Sequence, residues 1–520
     1  HIGSNAVSGA DWIRTRFGSG RGGTLSHLAV IAFAVVSVLG FLGYALIGIG
    51  KFVAILLPWD EISRFLPFAL PPEHALLVYG LTIAGVATFY VMLGGLHGVV
   101  WADVVQYFLL AIAALIIGGI AMARVDPIAL EAAVPAGWTD PFFGWRLDLD
   151  WPDRVHGIDA KIASDGYTLF AAFFMMMLFK GVLVSAAGPA PNYDMQRILA
   201  TRSPRESALM SAAVSVILMP LRYFMVAGLA VLAIVFFEDL AAAGLTGADF
   251  EVAMASALVQ FVPAGVLGLI VTALIAAFMS SFAATVNAAA VYLVHDFYGR
   301  YVAPDAGSRR LVRASYGVSL LIVVLGTWVA FAVDSINSIL QWLVSGLWGG
   351  YTAANALKWY WWRLNGQGYF WGMASGIVGA LGLPLIVATV APSLDVDLLP
   401  LYLFPVLLVV SGLVAVVVSL RTPIEDIESL KSFYVTVRPW GWWDPVRQLL
   451  KDEGREVAAN TEFRRDALNV TIGTIAQTLL VALPIYLVLR NAAAVAICVA
   501  AFLILAAILK KTWYERLPAE

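Results

Sequence analysis

A pair of adjacent hydroxyl groups, Ser280 and Ser281, lies inside an apolar stretch that runs from about residue 262 to 293. Hydrocarbon offers no hydrogen-bond partners, so hydroxyl groups at that depth must find them within the protein. Ala277 precedes the pair at the i, i+3, i+4 spacing that places all three residues on one helix face. A hard cation such as Na+ prefers a cluster of oxygen atoms, and small residues let a second backbone approach. The pattern therefore predicts a sodium site, typical of a protein that moves an ion together with another solute.

A glycine and two prolines interrupt another apolar stretch, because Gly188, Pro189 and Pro191 follow one another in GPAP. Proline breaks a helix, and a broken helix at membrane depth is tolerated only where it lines a cavity or is buried in protein. The freed backbone groups then become ligand contacts. Alternatively, the span ends at Ser185 and GPAP is an exit loop.

Two charged residues stand near or inside apolar spans. Lys180 lies about ten residues after the start of its span, where an ammonium group usually faces a cavity or a partner, unless the span is displaced and the side chain snorkels. Asp103 lies within the first two turns of the span that opens with VVWADVVQY. The dipole at a helix N-terminus favours a carboxylate there, and the alternative is a cation-attracting carboxylate at the mouth of a pathway.

The composition is that of an all-α polytopic membrane protein. The chain has 520 residues, of which 61% are hydrophobic and 13% are charged, and its mean hydropathy is +0.85. Apolar stretches long enough to cross ~30 Å of hydrocarbon recur along its length, so we expect the protein to be embedded in a lipid bilayer. About twelve candidate spans lie near residues 27–57, 75–95, 98–123, 166–190, 206–236, 263–293, 311–333, 335–360, 367–391, 399–420, 468–489 and 491–510.

Several classes of protein are disfavoured by the same composition. The single cysteine, Cys498, rules out an intrachain disulfide and a cysteine-based metal cluster. The six histidines show no metal-ligand spacing, and we find no nucleophile–base pair, so an enzyme is not expected. The net charge of −3 makes nucleic acid an unexpected partner.

The charges between the spans predict the orientation. Arginine and lysine concentrate before the first span and in alternate loops, whereas residues 237–262 hold four acidic residues and no base. The positive-inside rule then places both ends in the cytoplasm, in an inner (plasma) membrane. A tight turn is expected at residues 94–98. Residues 421–467 form a cytoplasmic loop, whose RPWGWWDPV stretch is expected at the lipid headgroups.

Three stretches resemble signatures of the sodium:solute symporter family, which includes sodium–glucose and sodium–proline transporters: GGLHGVVWADVVQ, NYDMQRILATRSPRES and LIAAFMSSFAATVNAAAVYLVHDFY. They occur in the family's order. The resemblance implies a LeuT-type bundle of two inverted helical repeats, with solute and ion near the midplane.

The resemblance also assigns roles to residues. Ala277 through its carbonyl, and Ser280 and Ser281 through their hydroxyls, would form half of a sodium site, and Asp103 would lie on the inner release route. The segment that includes Ser185, Gly188 and Asn192 would match the broken helix of the solute cavity. We place Lys180 in the same cavity.

Two departures from the family pattern matter. The family completes its sodium site with the first core helix, which precedes a WIRTRFG-like segment that here occupies residues 12–18. We therefore expect a piece of a longer gene product: a cytoplasmic segment at 1–26, core helices three to ten at 27–360, and additional helices at 361–520.

Sugar-transporting members carry an Asn and aromatic residues near Ser185, where this chain has Ser-Ala-Ala, which argues against a hexose. Lys180 would suit an organic acid or an acidic sugar.

These observations favour sodium-coupled symport of a small organic solute by alternating access. The alternative is a transporter-like membrane sensor or a non-transporting fragment of a symporter. A sodium channel would show a continuous polar stripe on several helices, which we do not find.

Overall fold

A computed structural model describes residues 6–57, 59–65, 71, 75–139, 151, 158–164, 168, 170–191, 193–237, 250–331, 339–340, 342–390 and 399–517. Within these ranges the chain is helical, and the only extended pairing is a bridge between Trp361 and Trp442. This agrees with the predicted all-α class.

The first half of the chain contains the helices α1 (Gly9–Phe17), α2 (Arg21–Leu56), α3 (Trp59–Ile62), α4 (Ala75–Arg124), α5 (Pro127–Ala133), α6 (Ile158–Ser164), α7 (Phe170–Ala187), α8 (Tyr193–Leu199), α9 (Pro204–Val235) and α10 (Phe250–Phe261). The second half contains α11 (Ala264–Ala290), α12 (Ser308–Phe331), α13 (Trp348–Tyr360), α14 (Gly366–Val390), α15 (Leu399–Arg421), α16 (Ile427–Val437), α17 (Asp444–Asp452), α18 (Phe463–Val488) and α19 (Ala492–Thr512). A π-helical segment, Val291–Val302, continues α11.

The protein is a multi-pass membrane protein. Nine helices in the described ranges are long and apolar enough to cross a membrane, and two shorter apolar helices cover Val78–Met92 and Phe174–Ala187. Their outer faces carry exposed apolar side chains, as at Val182 and Val390, which suit contact with lipid rather than water. The predicted span near 335–360 lies partly outside the described residues.

The predicted turn at residues 94–98 is wrong, because α4 stays helical through this segment. Glycine lowers helix propensity without abolishing it, and the segment contains no proline to remove a backbone donor. The two apolar stretches on either side therefore belong to one helical element.

The largest apolar cluster forms around the short helix α1. Ser8 caps this helix by accepting a hydrogen bond from the Asp11 amide at 2.9 Å, and Trp12 and Phe17 are buried. Helices α2, α13 and α14 contribute to the same cluster, and so do α16 and α17 from the predicted loop 421–467. Trp443 is buried there against other protein side chains, whereas Trp442 is 68% exposed. The headgroup position of this stretch stays a prediction.

Candidate functional site

Helix α11 carries the three predicted sodium-site residues, and neighbouring residues of the same helix are tightly packed. Phe282 and Ala283 are fully buried, whereas Ala277 and Ser280 are half-buried and the Ser281 residue is exposed. The Ser281 carbonyl accepts a hydrogen bond from the Thr285 hydroxyl at 2.7 Å. Ser281 therefore lies on a more exposed part of α11 than Ser280 does.

Asp103 joins this face from α4. Its Oδ1 atom accepts a short hydrogen bond from the Ser280 hydroxyl, and its Oδ2 atom pairs with Arg197 Nη2 at 2.8 Å. The structure therefore brings together Ser280 and Asp103, which were predicted as parts of separate sites, and adds Arg197 from α8. Sequence reasoning did not select Arg197, although it lies within the quoted NYDMQRILATRSPRES stretch.

We call the contact of Asp103 with Ser280 and Arg197 the Asp103 junction. Its hydroxyl and carboxylate oxygen atoms suit a hard cation as ligands. Hydroxyl and carboxylate oxygens are the ligands that such ions prefer, and the Arg197 guanidinium already supplies a positive charge at the carboxylate. The side chains of Arg197 and Asp103 are 38% and 21% exposed, so the pair is worth only about 0–1 kcal/mol. An ion pair this weak can open and close readily.

The predicted helix break is present. Helix α7 ends at Ala187, Gly188 adopts φ +83°, and α8 begins at Tyr193. The Gly188 amide donates to the Ser185 carbonyl at 3.1 Å, which closes the last turn.

Helix α13 satisfies two of the backbone carbonyls at this break. Trp359 Nε1 donates to the Ala187 carbonyl at 3.0 Å, and the Tyr351 hydroxyl donates to the Pro189 carbonyl at 3.3 Å. These two groups are therefore engaged by protein donors instead of being open to a ligand.

The proposed cavity residues on α7 form no hydrogen bond with Ser280, Asp103 or Arg197 in the described parts of the chain. The residue Ser185 is exposed, and Lys180 is buried with its Nζ atom 2.9 Å from Met177 Sδ, a weak acceptor. Asn192 lies outside the described residues.

A family model described as "Sodium:solute symporter family" matches residues 1–376. The chain belongs to the sodium:solute symporter family. The matched region contains α11, the Asp103 junction and the helix break, so all three sequence stretches that carried the resemblance lie within it.

Curated relatives of this symporter-family chain are transporters. A sodium/glucose cotransporter of Vibrio parahaemolyticus is 26% identical over 58% of this chain and 56% of the relative. A sodium/myo-inositol cotransporter of Canis lupus familiaris is 28% identical over 47% of this chain and 37% of the relative. The chain thus spans about half, or less, of the length of these relatives.

A solved structure of a Na+-coupled sialic acid symporter in a substrate-bound outward-open state has a similar fold. The TM-score is 0.52 at 17% sequence identity, and the similarity covers 81% of this chain and 78% of the other. This likeness supports the LeuT-type bundle expected from the sequence.

Proposed function

We propose that the protein, in its full-length form, is a secondary active transporter that couples inward sodium movement to uptake of a small organic solute. The observation that carries the proposal is the contact between Ser280 and Asp103, made inside the region matched by the symporter family. It joins a hydroxyl of the proposed ion site to a carboxylate on the proposed release route.

Sodium is the proposed coupling ion. Ala277 through its carbonyl, and Ser280 and Ser281 through their hydroxyls, supply uncharged oxygen ligands from one helix face. A cation leaving these ligands finds the Asp103 carboxylate directly next to Ser280. Arg197 and sodium would then compete for the same carboxylate, which pairs with the Arg197 guanidinium at 2.8 Å.

The solute site is proposed at the helix break, with Lys180, Ser185, Gly188 and Asn192. The relatives named above are cotransporters of glucose and myo-inositol, and the structural neighbour is a sialic acid symporter. The solutes in these names are all polyhydroxylated, so we propose a polyhydroxylated solute here. The buried ammonium of Lys180 favours one that also carries an acid group.

We further propose an inner-membrane location with both chain ends in the cytoplasm, residues 27–360 as the part that carries the transport sites, and 361–520 as additional helices. The arginine- and lysine-rich alternate loops support this orientation.

The test is uptake of labelled N-acetylneuraminate, glucose or myo-inositol into proteoliposomes that contain the full-length protein. We expect sodium-dependent uptake of at least one of them. Ser281→Ala should raise the half-saturating sodium concentration, and Asp103→Asn should slow turnover while sodium still binds. Ser211→Ala is the matched control, because this exposed serine of α9 bonds to the Ser207 carbonyl of its own helix and to no other group among the described residues.

Uptake that is equal in sodium and potassium would contradict the coupling. Unchanged sodium dependence in Ser281→Ala would remove this residue from the ion site. Sodium-dependent binding of a solute without uptake would favour the sensor alternative.

A further inference from the structure

A second buried lysine, Lys358, lies near the C-terminal end of α13, where the structure leaves a small cavity. The residue is 5% exposed. The cavity has a volume of about 20 Å³ and is lined by the Lys358 side chain, Trp12 and Gly9 of the α1 segment, and Pro189 and Pro191 beyond the helix break. A space of this size exceeds the minimum for one water molecule and suits a single monatomic ion.

The ammonium group of Lys358 has fewer partners than donors. Its Nζ atom donates to Asn355 Oδ1 at 2.7 Å, and the same oxygen also accepts from the Tyr369 hydroxyl at 2.9 Å. An ammonium carries three N–H donors, so two have no acceptor among the described residues. The rings of Trp12 and Trp359 lie 5.4 and 5.3 Å from Nζ and contribute cation–π attraction without accepting a hydrogen bond in the usual sense.

The charges around the cavity do not balance in the described part of the chain. Lys358 forms no ion pair there, and the second buried cation, Arg16, donates from Nε to the Lys358 carbonyl at 3.0 Å. The acid that acts on Arg16 is the half-buried Glu425, whose carboxylate accepts from the Gly366 amide at 2.8 Å. In the described part of the chain the Glu425 carboxylate thus acts on Arg16 and not on Lys358. An uncompensated buried charge costs several kcal/mol.

We propose that this cavity binds one small monovalent anion of halide size, held by the two free N–H donors of Lys358. The volume excludes an organic solute, and the burial of Lys358 strengthens the attraction between its ammonium group and an anion. Chloride is the physiological anion of this charge and size. Its binding would supply the counter-charge that Lys358 lacks among the described side chains.

The experiment uses the purified full-length protein in detergent, with potassium chloride replacing potassium gluconate at constant ionic strength. Chloride should raise the apparent Tm by about 1–3 °C, because a ligand that binds only the folded state stabilises it. Asn355→Asp places a carboxylate beside Lys358. It should raise the Tm in gluconate and remove the response to chloride.

Lys358→Met should also remove the response without lowering the Tm in gluconate, because it deletes the uncompensated charge. Lys431→Met is the matched control. Lys431 is equally buried but is paired with Glu428 at 2.8 Å and with Glu453, so its replacement should leave the chloride response at the wild-type size.

A structure determined in bromide gives an independent readout, with an anomalous peak expected next to Lys358 Nζ. Density for water alone at that position would overturn the proposal. So would a wild-type Tm that is equal in chloride and gluconate, or a chloride response that persists in Asn355→Asp. These measurements do not involve transport, so they stand or fall separately from sodium-coupled uptake.

Discussion

Asp103 is the residue at which three helices meet, because its two carboxylate oxygens take one partner from α11 and one from α8. A carboxylate that is shared between a hydroxyl and a guanidinium can exchange the guanidinium for another cation. The hydroxyl of Ser280 would remain as a ligand during that exchange. Residue chemistry therefore supports competition between Arg197 and sodium at Asp103.

Replacing Arg197 by Gln should lower the half-saturating sodium concentration for uptake, because the competing cation is gone. A partly exposed ion pair contributes at most about 1 kcal/mol, so the change should reach up to about fivefold. Sodium titration of uptake by the full-length protein measures it. Arg197→Lys keeps a competing charge and should stay close to the wild type. A rise in the half-saturating concentration for Arg197→Gln would show that Arg197 assists sodium binding.

Gly188 is constrained by its backbone and by its neighbour. Its φ of +83° is unfavourable for a residue with a Cβ atom, and a Cβ placed there would lie 3.1 Å from Trp359 Nε1, the donor to the Ala187 carbonyl. Gly188→Ala should therefore lower the free energy of unfolding by about 2 kcal/mol, seen as a lower apparent Tm.

The control for Gly188→Ala is Gly181→Ala in α7. A Cβ atom at Gly181 would meet no heavy atom within 4 Å, and alanine has the higher helix propensity. This variant should be neutral or slightly more stable. Equal Tm values for the two variants would mean that the left-handed conformation at Gly188 is not required.

At the scale of elements, Arg16 of α1 binds the end of α13 and the segment that follows it. Arg16 is fully buried and donates hydrogen bonds to the carbonyls of Lys358, Trp361, Trp362 and Leu364, at 3.0, 3.3, 3.3 and 3.1 Å. A cation at a helix C-terminus is favoured by the helix dipole and by the unsatisfied carbonyls there. Burial lowers the pKa of Arg16 to about 9, and the Glu425 carboxylate opposes this, so the guanidinium stays charged at neutral pH.

Arg16→Met should lower the free energy of unfolding by about 3 kcal/mol, because several buried carbonyls lose their donor at once. The apparent Tm in detergent measures the loss. Arg21→Met is the control, since Arg21 is an exposed residue at the start of α2. If the two variants have equal apparent Tm values, Arg16 does not hold α1 to α13.

The sequence predicted the elements whose cause is local. Apolar runs mark the spans, Pro189 and Pro191 mark the end of α7, and the spacing of Ala277, Ser280 and Ser281 predicts one helix face. The contacts of Arg16 could not be predicted, because they join residues more than 340 positions apart along the chain. Periodicity reports which face of a helix is apolar, not which helix covers it. For the same reason the sequence alone does not indicate the contact between Arg197 and Asp103, which lie on different helices.

At the scale of the whole molecule, the residues after 361 divide into two parts. Helices α14, α16 and α17 share the apolar cluster of α1, in which Phe433 and Trp443 stack over one another and face the Arg16 guanidinium at 5.3 and 4.9 Å. Helix α18 instead packs beside α9, where Gln477 donates to the Ser215 hydroxyl at 2.7 Å, and α19 packs against α18. Cys498 is the one buried residue of α19 in the described chain.

This division predicts different outcomes for two shortened forms of the full-length protein. Ending the chain after Asn460 removes α18 and α19 but keeps α16 and α17, so the protein should remain folded at a somewhat lower Tm and retain sodium-dependent uptake. Ending it after Arg421 also removes Phe433 and Trp443, which leaves the apolar face of α1 and the Arg16 guanidinium uncovered. That form should aggregate, as measured by size-exclusion chromatography in detergent. Loss of sodium dependence in the longer form alone would instead place part of the transport machinery in α18 and α19, because its cluster around α1 is intact.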